Sequence, residues 1–209
     1  MHRSPRGIFG ELLILIDMIE VEIRGPLTPE KAQKFKEFLR LNGAHIESQD
    51  REMILLFDYP GYADDPNKRE VDIRLRCTNG KCEIMVKKKL HAHNAGRSEY
   101  SVPVATMDEA KMLASAFSCS RGLWMHRKKD VYRVNGTEWS VAEALSDDGG
   151  KQIFYFETER EASSKEDIEI IRHELVKEAG VHNLSVFTPD EYHEFVNLLG
   201  REVNKKIQW

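Results

Sequence analysis

Alternating apolar and polar residues recur along the chain and predict a protein built mainly of β-strands. In the stretch IEVEIR at 19–24, isoleucine and valine alternate with two glutamates and an arginine. A strand directs successive side chains to opposite faces, so one face of this segment is apolar and the other is ionic. The pattern predicts strands at residues 19–25, 45–50, 53–58, 70–77, 82–89, 97–104, 124–134, 138–145 and 152–160.

Four segments instead repeat their apolar residues at helical spacing. They begin after Thr28, Thr106, Ser164 and Thr188, residue types whose side chains accept a hydrogen bond from the first turn of a helix. Each predicted helix has a single apolar stripe, so each must bury that stripe against another element.

One hairpin can be registered from its turn. The Asn-Gly pair at the centre of CTNGKC, residues 77–82, is a two-residue turn signal. Counting outward places Cys77 opposite Cys82 and Asp72 opposite Lys87. In this register one face of the hairpin is apolar, and on the other face acids lie opposite bases. The facing cysteines come near disulfide distance, but the sparse cysteine content favours reduced thiols.

Composition narrows the classes of function. The chain has 209 residues, 41% hydrophobic and 32% charged, yet its net charge is only −4. Charges of both signs therefore nearly cancel, which argues against a general basic surface for nucleic acid or membrane. Since the sequence contains no long linker, we expect residues 18–209 to form a single domain.

Residues 1–17 are predicted to be an N-terminal extension, and Met18 is an equally plausible start because the patterned sequence begins there. The apolar run LLILI at 12–16 is far shorter than the ~20 residues that a membrane helix needs, so it predicts a short extra strand or an irregular terminus. Three cysteines without a CxxC pair indicate a reducing, cytoplasmic setting.

The ionic faces differ from those of an ordinary solvated sheet. They are rich in arginine and glutamate, and the signs are segregated by strand, with acids at 19–25, 138–145 and 152–160 and bases at 70–77 and 124–134. Exposure to water is the usual explanation for a charged face. A sheet rolled so that these faces line an enclosed channel, with helices outside, explains both features better.

Such a channel would suit a metal–polyphosphate complex. Clustered carboxylates cannot all stay ionised unaided, because like charges raise one another's pKa, and a divalent cation such as Mg²⁺ or Mn²⁺ relieves this. Opposing arginines and lysines can donate hydrogen bonds to phosphoryl oxygens.

The ordered series of motifs resembles the CYTH superfamily, the triphosphate tunnel metalloenzymes. The matching segments, in chain order, are Glu20-x-Glu22-x-Arg24, LFDYP at 56–60, Arg74-x-Arg76, IMVK ending at Lys87, Arg97-x-Glu99, Arg127-x-Lys129, Glu143, Glu157-x-Glu159 and EYHEFVNLL at 191–199. The resemblance implies an α+β fold, a closed or nearly closed eight-stranded antiparallel β tunnel with an ionic lumen and helices packed on its outside.

The resemblance also implies roles for individual residues. The catalytic group would be Glu20, Glu22 and Arg24. The phosphate-binding residues would be Arg74, Arg76, Lys87, Arg97, Arg127, Lys129 and Arg133. The ligands of Mg²⁺ or Mn²⁺ would be Glu20, Glu22, Glu99, Glu143, Glu157 and Glu159.

Three positions depart from the family pattern. Arg24 replaces the usual lysine, Ser101 replaces a glutamate, and Glu143 stands where the family often has aspartate. The place of Glu143 depends on the loop that follows it. A three-residue loop at 148–150 puts Glu143 opposite Tyr155 on the lumen face, whereas a two-residue turn puts it opposite Phe154 on the other face.

The expected function is metal-dependent hydrolysis of a triphosphate-containing small molecule: inorganic triphosphate, thiamine triphosphate or a nucleotide. Adenylate cyclase chemistry of the class IV type, and polyphosphate or nucleotide binding without catalysis, remain alternatives. No membrane partner is expected, and the only nucleic acid considered is an RNA 5′-triphosphate end. The protein is expected to be a monomer or homodimer.

Overall fold

A computed structural model describes residues 19–90 and 96–209. The expectations for residues 1–18, including LLILI and a start at Met18, lie outside these ranges. Within them, no helix is both long and apolar enough to cross a membrane.

The described residues form nine strands and four helices. The strands are β1 (Ile19–Leu27), β2 (Ala44–Leu56), β3 (Val71–Thr78), β4 (Lys81–Lys89), β5 (Gly96–Val104), β6 (Arg121–Val134), β7 (Thr137–Leu145), β8 (Gln152–Ala162) and β9 (Lys205–Gln208). The helices are α1 (Pro29–Asn42), α2 (Met107–Ala116), α3 (Asp167–Val181) and α4 (Pro189–Glu202).

Eight of the strands close into a ring. Their order is β2-β3-β4-β5-β1-β8-β7-β6, every neighbouring pair is antiparallel, and an additional pairing between β2 and β6 joins the two ends. The short strand β9 adds to the other edge of β6 at residues 121–124. This arrangement confirms the predicted α+β tunnel.

Alternation within the strands separates the interior of the ring from its exterior. Glu22 lies opposite Glu159 and Arg24 lies opposite Glu157 in the pairing of β1 with β8, and these ionic side chains point inward. Val21, between Glu20 and Glu22, points outward and is fully buried under the helices. Burying a valine in this way contributes about 1.5–3 kcal/mol to stability.

Helices α1 and α3 cover the outer face of β1, β7 and β8. Phe35 and Leu39 of α1 and Ile168 and Leu175 of α3 form one apolar cluster with Trp139 of β7. Helix α2 packs its alanines in the same way on the outer face of β3, β4 and β5. The apolar faces of these strands are therefore occupied by helices, which leaves their ionic faces to the tunnel.

Helix α4 is placed differently from the other three. Its residues Phe195 and Leu199 pack against Ala142 and Tyr155, which belong to the inward-pointing set of β7 and β8. A complete capping box between Thr188 and Glu191 fixes the start of this helix. Helix α4 consequently lies across part of the tunnel interior.

The connection from α3 to α4 is bound tightly to β1. The amide of Phe187 donates a hydrogen bond to the carbonyl oxygen of Arg24 at 2.9 Å. A Cβ atom on Gly25 would lie 1.8 Å from the carbonyl oxygen of Ser185, so only glycine permits this approach. The contact fixes the position of α4 relative to the ionic face of β1.

The predicted hairpin register is confirmed over its full length, with Asp72 opposite Lys87 and Cys77 opposite Cys82. Asn79 and Gly80 both have positive φ, as a two-residue hairpin turn requires. The expectation of reduced thiols is wrong, because the two cysteines form a disulfide. The register places them face to face, and nothing in their spacing indicated their oxidation state.

Three boundaries also differ from the predictions. The predicted strands at 45–50 and 53–58 are one strand, β2, which pairs along much of its length with β6 and over residues 51–55 with β3. Helix α3 begins at Asp167 rather than at Ser164, whose hydroxyl donates to the Asp167 carboxylate at 2.9 Å. Strand β9, only four residues long, was not predicted.

The lumen position predicted for Glu143 is wrong. It lies opposite Phe154 in the pairing of β7 with β8, on the outer face of the ring. The connecting loop keeps the register of a two-residue turn, because the Ser146 amide donates to the Lys151 carbonyl oxygen at 3.1 Å. Glu143 is therefore not placed to bind a metal ion in the tunnel.

Candidate functional site

Two adjoining cavities occupy the tunnel and share Arg24, Arg74 and Tyr192 in their walls. The first has a volume of about 80 Å³ and lies between the ionic strand faces and the α3–α4 connection. The second, of about 120 Å³, extends from these shared residues under α4.

Positive charge dominates both walls. Among the described residues, the first cavity is lined by five cations and one carboxylate, which are Arg24, Arg74, Lys87, Arg97, Arg172 and Glu22. The second is lined by six cations and two carboxylates, which are Arg24, Arg51, Arg69, Arg74, Arg127, Lys129, Asp72 and Glu157. A formal excess of four positive charges in each cavity favours a polyanionic ligand.

The carboxylate of Asp72 bonds three arginines in the tunnel wall. Its carboxylate accepts hydrogen bonds from Arg74 at 2.6 Å, Arg97 at 2.7 Å and Arg69 at 3.1 Å, and only 3% of its side chain is exposed. Burial alone raises the pKa of Asp72, but the charges of Arg74, Arg97 and Arg69 hold it well below its usual range. Strands β3 and β5 are thus joined through one carboxylate.

Arg69 supports this group from the loop between β2 and β3. Its guanidinium donates to the carbonyl oxygens of Ala63 and Asp64 and to the hydroxyl of Tyr62, and it stacks over the Tyr62 ring. The loop between β2 and β3 is therefore bonded to the tunnel wall through Asp72.

A second ionic group is centred on Glu157. One carboxylate oxygen accepts from Arg24 at 2.8 Å and the other from Lys129 at 2.9 Å. Burial raises the pKa of Glu157, but Lys129 and Arg24 hold it well below its usual range. Arg24 also bonds Glu22 and the hydroxyl of Tyr192, both at 2.7 Å, so the position that departs from the family pattern connects two strands with α4.

Carboxylates crowd together where β1 faces β8. Burial and the charges of Glu20 and Glu22 raise the pKa of Glu159 to about 9, so this group holds a proton at neutral pH. Burial raises the pKa of Glu20 too, but Lys87, which donates to it at 3.1 Å, lowers the value to about 2. Lys87 also forms an ion pair with Glu99.

The predicted site residues fall into three groups by location. The residues that line the two cavities are Glu22, Arg24, Arg74, Lys87, Arg97, Arg127, Lys129 and Glu157. Glu20 and Glu99 contact Lys87, and Glu159 lines a small neighbouring cavity with Lys129 and Glu157. The roles of all these residues remain predictions.

The remaining predicted residues lie apart from the cavities. Arg76 points inward but bonds Glu83 at 2.7 Å and lines neither cavity. Arg133 lies at the end of β6, where its side chain is 55% exposed and paired with Glu138. Glu143 lies on the outer face, as described above.

Sequence reasoning missed several residues of the cavity walls. Asp72 was placed on the charged face of its hairpin but given no role. Arg51 lies within a stretch taken as a break between two strands, and Tyr192 was assigned only to a helix. No local signal marks Asn204, whose amide oxygen accepts from Arg127 at 2.7 Å, because it follows α4 and reaches the tunnel only through the fold.

No protein-family profile matches the sequence, and no curated protein matches it. Solved structures do match. The PH1819 protein of Pyrococcus horikoshii is 19% identical with a TM-score of 0.66, over 86% of this chain and 98% of that one. The PH1012 protein of the same organism is 18% identical with a TM-score of 0.62, over 84% and 98%.

A further match is a protein of Vibrio parahaemolyticus described as a candidate adenylate cyclase, at 16% identity and a TM-score of 0.55, over 80% of this chain and 90% of that one. At these identities the matches establish a shared fold. That shared fold is consistent with the resemblance to the CYTH superfamily.

Proposed function

We propose that this protein is a metal-dependent hydrolase of a small molecule that contains a triphosphate. The observation that carries the proposal is the excess of arginine and lysine over carboxylate in the two connected cavities. A single phosphate does not require so many donors, whereas a chain of phosphoryl groups can occupy both cavities at once.

Different cations would bind different parts of the phosphate chain. Arg74, Lys87 and Arg97 line the first cavity from β3, β4 and β5 and would hold one part of the phosphate chain. Arg127 and Lys129 line the second from β6 and would hold another. The buried Nε–H of Arg74 has no acceptor among the described residues, so a phosphoryl oxygen could supply one.

The carboxylates fit a divalent cation by their chemistry. Burial and the charges of Glu20 and Glu22 raise the pKa of Glu159 so that it stays protonated, and an oxygen-ligated ion such as Mg²⁺ or Mn²⁺ would favour its ionised form. Within the described ranges no three acidic, histidine or cysteine side chains converge on one point, so ligation would require these side chains to turn from their present partners. When bound, such an ion would polarise a phosphoryl oxygen and neutralise charge in the transition state.

The chain's own residues position the reacting groups. Glu22 lines the first cavity beside Arg74 and Lys87, so its carboxylate can orient a water molecule toward the terminal phosphorus. Arg24, fixed by Glu22, Glu157 and Tyr192, would donate to the phosphoryl oxygens and stabilise the charge that develops there. Positioning and charge stabilisation dominate phosphoryl transfer generally.

The test supplies the purified protein with Mg²⁺ or Mn²⁺ and, separately, tripolyphosphate, thiamine triphosphate or ATP, and follows orthophosphate release. Arg74→Met should lower kcat by about 10²–10³-fold. Arg121→Met is the matched control, because Arg121 is 56% exposed and pairs with Asp58 on the outside. Equal activity in the two variants, or no orthophosphate from any substrate, would contradict the proposal.

Cyclisation of a nucleoside triphosphate is a second candidate. It is favoured by the description of the Vibrio parahaemolyticus match as a candidate adenylate cyclase. In that reaction the ribose hydroxyl attacks instead of water, so ATP would yield cyclic AMP and pyrophosphate. Measuring these products in the same incubations separates the two activities, and metal-dependent tripolyphosphate binding without any product would indicate a binding protein.

A further inference from the structure

The first cavity has two chemically different walls. Arg74, Lys87 and Arg97 line it from the strands, whereas residues 186–189 of the α3–α4 connection line it from the other side. Three of these four residues are apolar, since only Thr188 has a polar side chain. A phosphoryl group that lies against apolar side chains loses its hydration and gains no hydrogen bond in return. Phosphate binding therefore does not account for this second wall.

The two walls also lie at different depths. The side chains of Lys87 and Arg97 are only 9% and 14% exposed, so the cationic wall is deep in the protein. Thr188 and Pro189 are exposed, so the connection carries the cavity to the molecular surface. A ligand held by its phosphoryl groups at the cations would therefore extend outward along the apolar wall. Such a ligand needs a second part that is not a phosphate.

Phe187 gives the apolar wall a fixed aromatic surface. Its amide donates to the carbonyl oxygen of Arg24 at 2.9 Å, and its ring stacks on Phe195 with the ring centroids 4.7 Å apart and the planes 28° apart. Phe187 is nevertheless only half-buried and lines the cavity. A ring that is already held in place loses little conformational entropy when a ligand binds, and aromatic rings favour offset stacking with other rings.

Arg172 lines the same cavity from α3, a helix that lies outside the ring. It is half-buried, and within the described ranges it has no hydrogen-bond or ion-pair partner. Arg160 of the neighbouring strand β8 differs, because it pairs with Glu174 and Glu178 of this helix. A guanidinium group is planar, stacks on aromatic rings and donates hydrogen bonds to ring nitrogen and carbonyl acceptors. Arg172 is therefore suited to a heteroaromatic ligand.

We propose that Phe187 and Arg172 form a subsite for a planar heteroaromatic group that is joined to the triphosphate of the ligand. The ligand class is then an organic triphosphate, in which a nucleobase or a comparable ring lies at the outer end of the first cavity. Inorganic triphosphate has no group that fills this subsite. The inference rests on the part of the proposed function that places the phosphate chain at the tunnel cations, but it requires no hydrolysis.

The experiment measures binding without turnover. ATP, CTP, thiamine triphosphate and tripolyphosphate are titrated separately into the metal-free protein in a calorimeter, for wild type, Phe187→Leu, Arg172→Met and the control Lys177→Met. Lys177 is an exposed cation of the same helix and lines neither cavity. Because stacking on a protein side chain contributes substantially to the binding of a base, Phe187→Leu and Arg172→Met should each weaken binding of at least one organic triphosphate by about tenfold. Phe187→Leu should leave the affinity for tripolyphosphate unchanged, and the control should behave as wild type.

The comparison with tripolyphosphate decides the outcome. Equal weakening of organic triphosphates and tripolyphosphate in folded variants, or no selective weakening for any of the three organic triphosphates, overturns the inference. Circular dichroism checks the fold of each variant, and Arg172→Met alone decides if Phe187→Leu does not fold. Selective binding without orthophosphate release after Mg²⁺ or Mn²⁺ is added contradicts only the hydrolysis in the proposed function. Hydrolysis of tripolyphosphate and of organic triphosphates at rates that neither substitution changes contradicts only the subsite.

Discussion

Asp72→Asn should destabilise the protein more than any other single substitution of a charged side chain in the tunnel wall. The substitution keeps the size of the side chain but leaves Arg69, Arg74 and Arg97 without the carboxylate that accepts from all three. Removing one partner of a buried ion pair costs about 3–5 kcal/mol. For a chain of this length, that loss lowers the thermal midpoint by about 6–20 °C.

The effect should depend on pH in a defined direction. Because the arginines hold the pKa of Asp72 below its usual range despite burial, the unfolded chain takes up a proton here at higher pH than the folded chain does. The stabilisation is therefore present above about pH 4, the ordinary pKa of an aspartate, and is lost as pH falls further. The difference between wild type and Asp72→Asn should be full at pH 7 and shrink below pH 4.

Urea unfolding followed by circular dichroism at several pH values measures both effects. Asp130→Asn is the matched control, because Asp130 accepts from Ser48 at 2.6 Å and pairs with the half-exposed Lys36 outside the ring. An exposed pair of this kind contributes at most about 1 kcal/mol. If Asp72→Asn lost no more stability than Asp130→Asn at pH 7, the reasoning on the arginine group would be refuted.

Three further substitutions test other parts of the structure. Glu159→Gln should stabilise the metal-free protein more at pH 8 than at pH 5, as measured by urea unfolding. With a folded-state pKa of about 9, the glutamate lowers the free energy of unfolding as pH rises above about 4, and glutamine removes that loss. Equal stabilisation at the two pH values would contradict the raised pKa. Gly25→Ala should lower the thermal midpoint strongly, because its Cβ atom would collide with the carbonyl oxygen of Ser185, and a midpoint within a degree of wild type would show that the connection can shift. Thr188→Ala should cost about 1 kcal/mol in the same unfolding assay through loss of the α4 cap, with no loss expected if α4 is held by packing alone.

Local sequence patterns predicted strand pairing correctly where a turn fixes the register. The Asn-Gly turn determined the pairing of β3 with β4 to the residue, because both faces of the hairpin agreed with one alignment. The loop between β7 and β8 offered two alignments, and a shift of one residue exchanges the two faces of a strand. Glu143 was therefore assigned to the wrong side of the ring.

The sequence predicted only those site residues that the pattern of a single strand indicates. The polar stretch QDRE at 49–52 is typical of a break between strands, but closing the ring places it between β3 and β6, where Arg51 faces Arg127. Asp72 shows the same limit, since its importance comes from Arg97 on β5 and Arg69 in the preceding loop. Such contacts depend on the completed topology, which no local pattern encodes.

The closure of the ring has a consequence for how the chain folds. Strand β1 has nine paired residues with β8 and three with β5, and β2 has its longest pairing with β6. The paired residues of β1 and β8 are 127–143 positions apart and those of β2 and β6 are 66–89 positions apart. Folding slows as contacting residues become more distant along the chain. During synthesis the hairpin of β3 and β4 can form early, whereas the wall shared by Glu22 and Glu159 cannot exist before β8 has been made. A truncated chain ending before residue 152 should accordingly expose the apolar side of β1 and aggregate rather than fold.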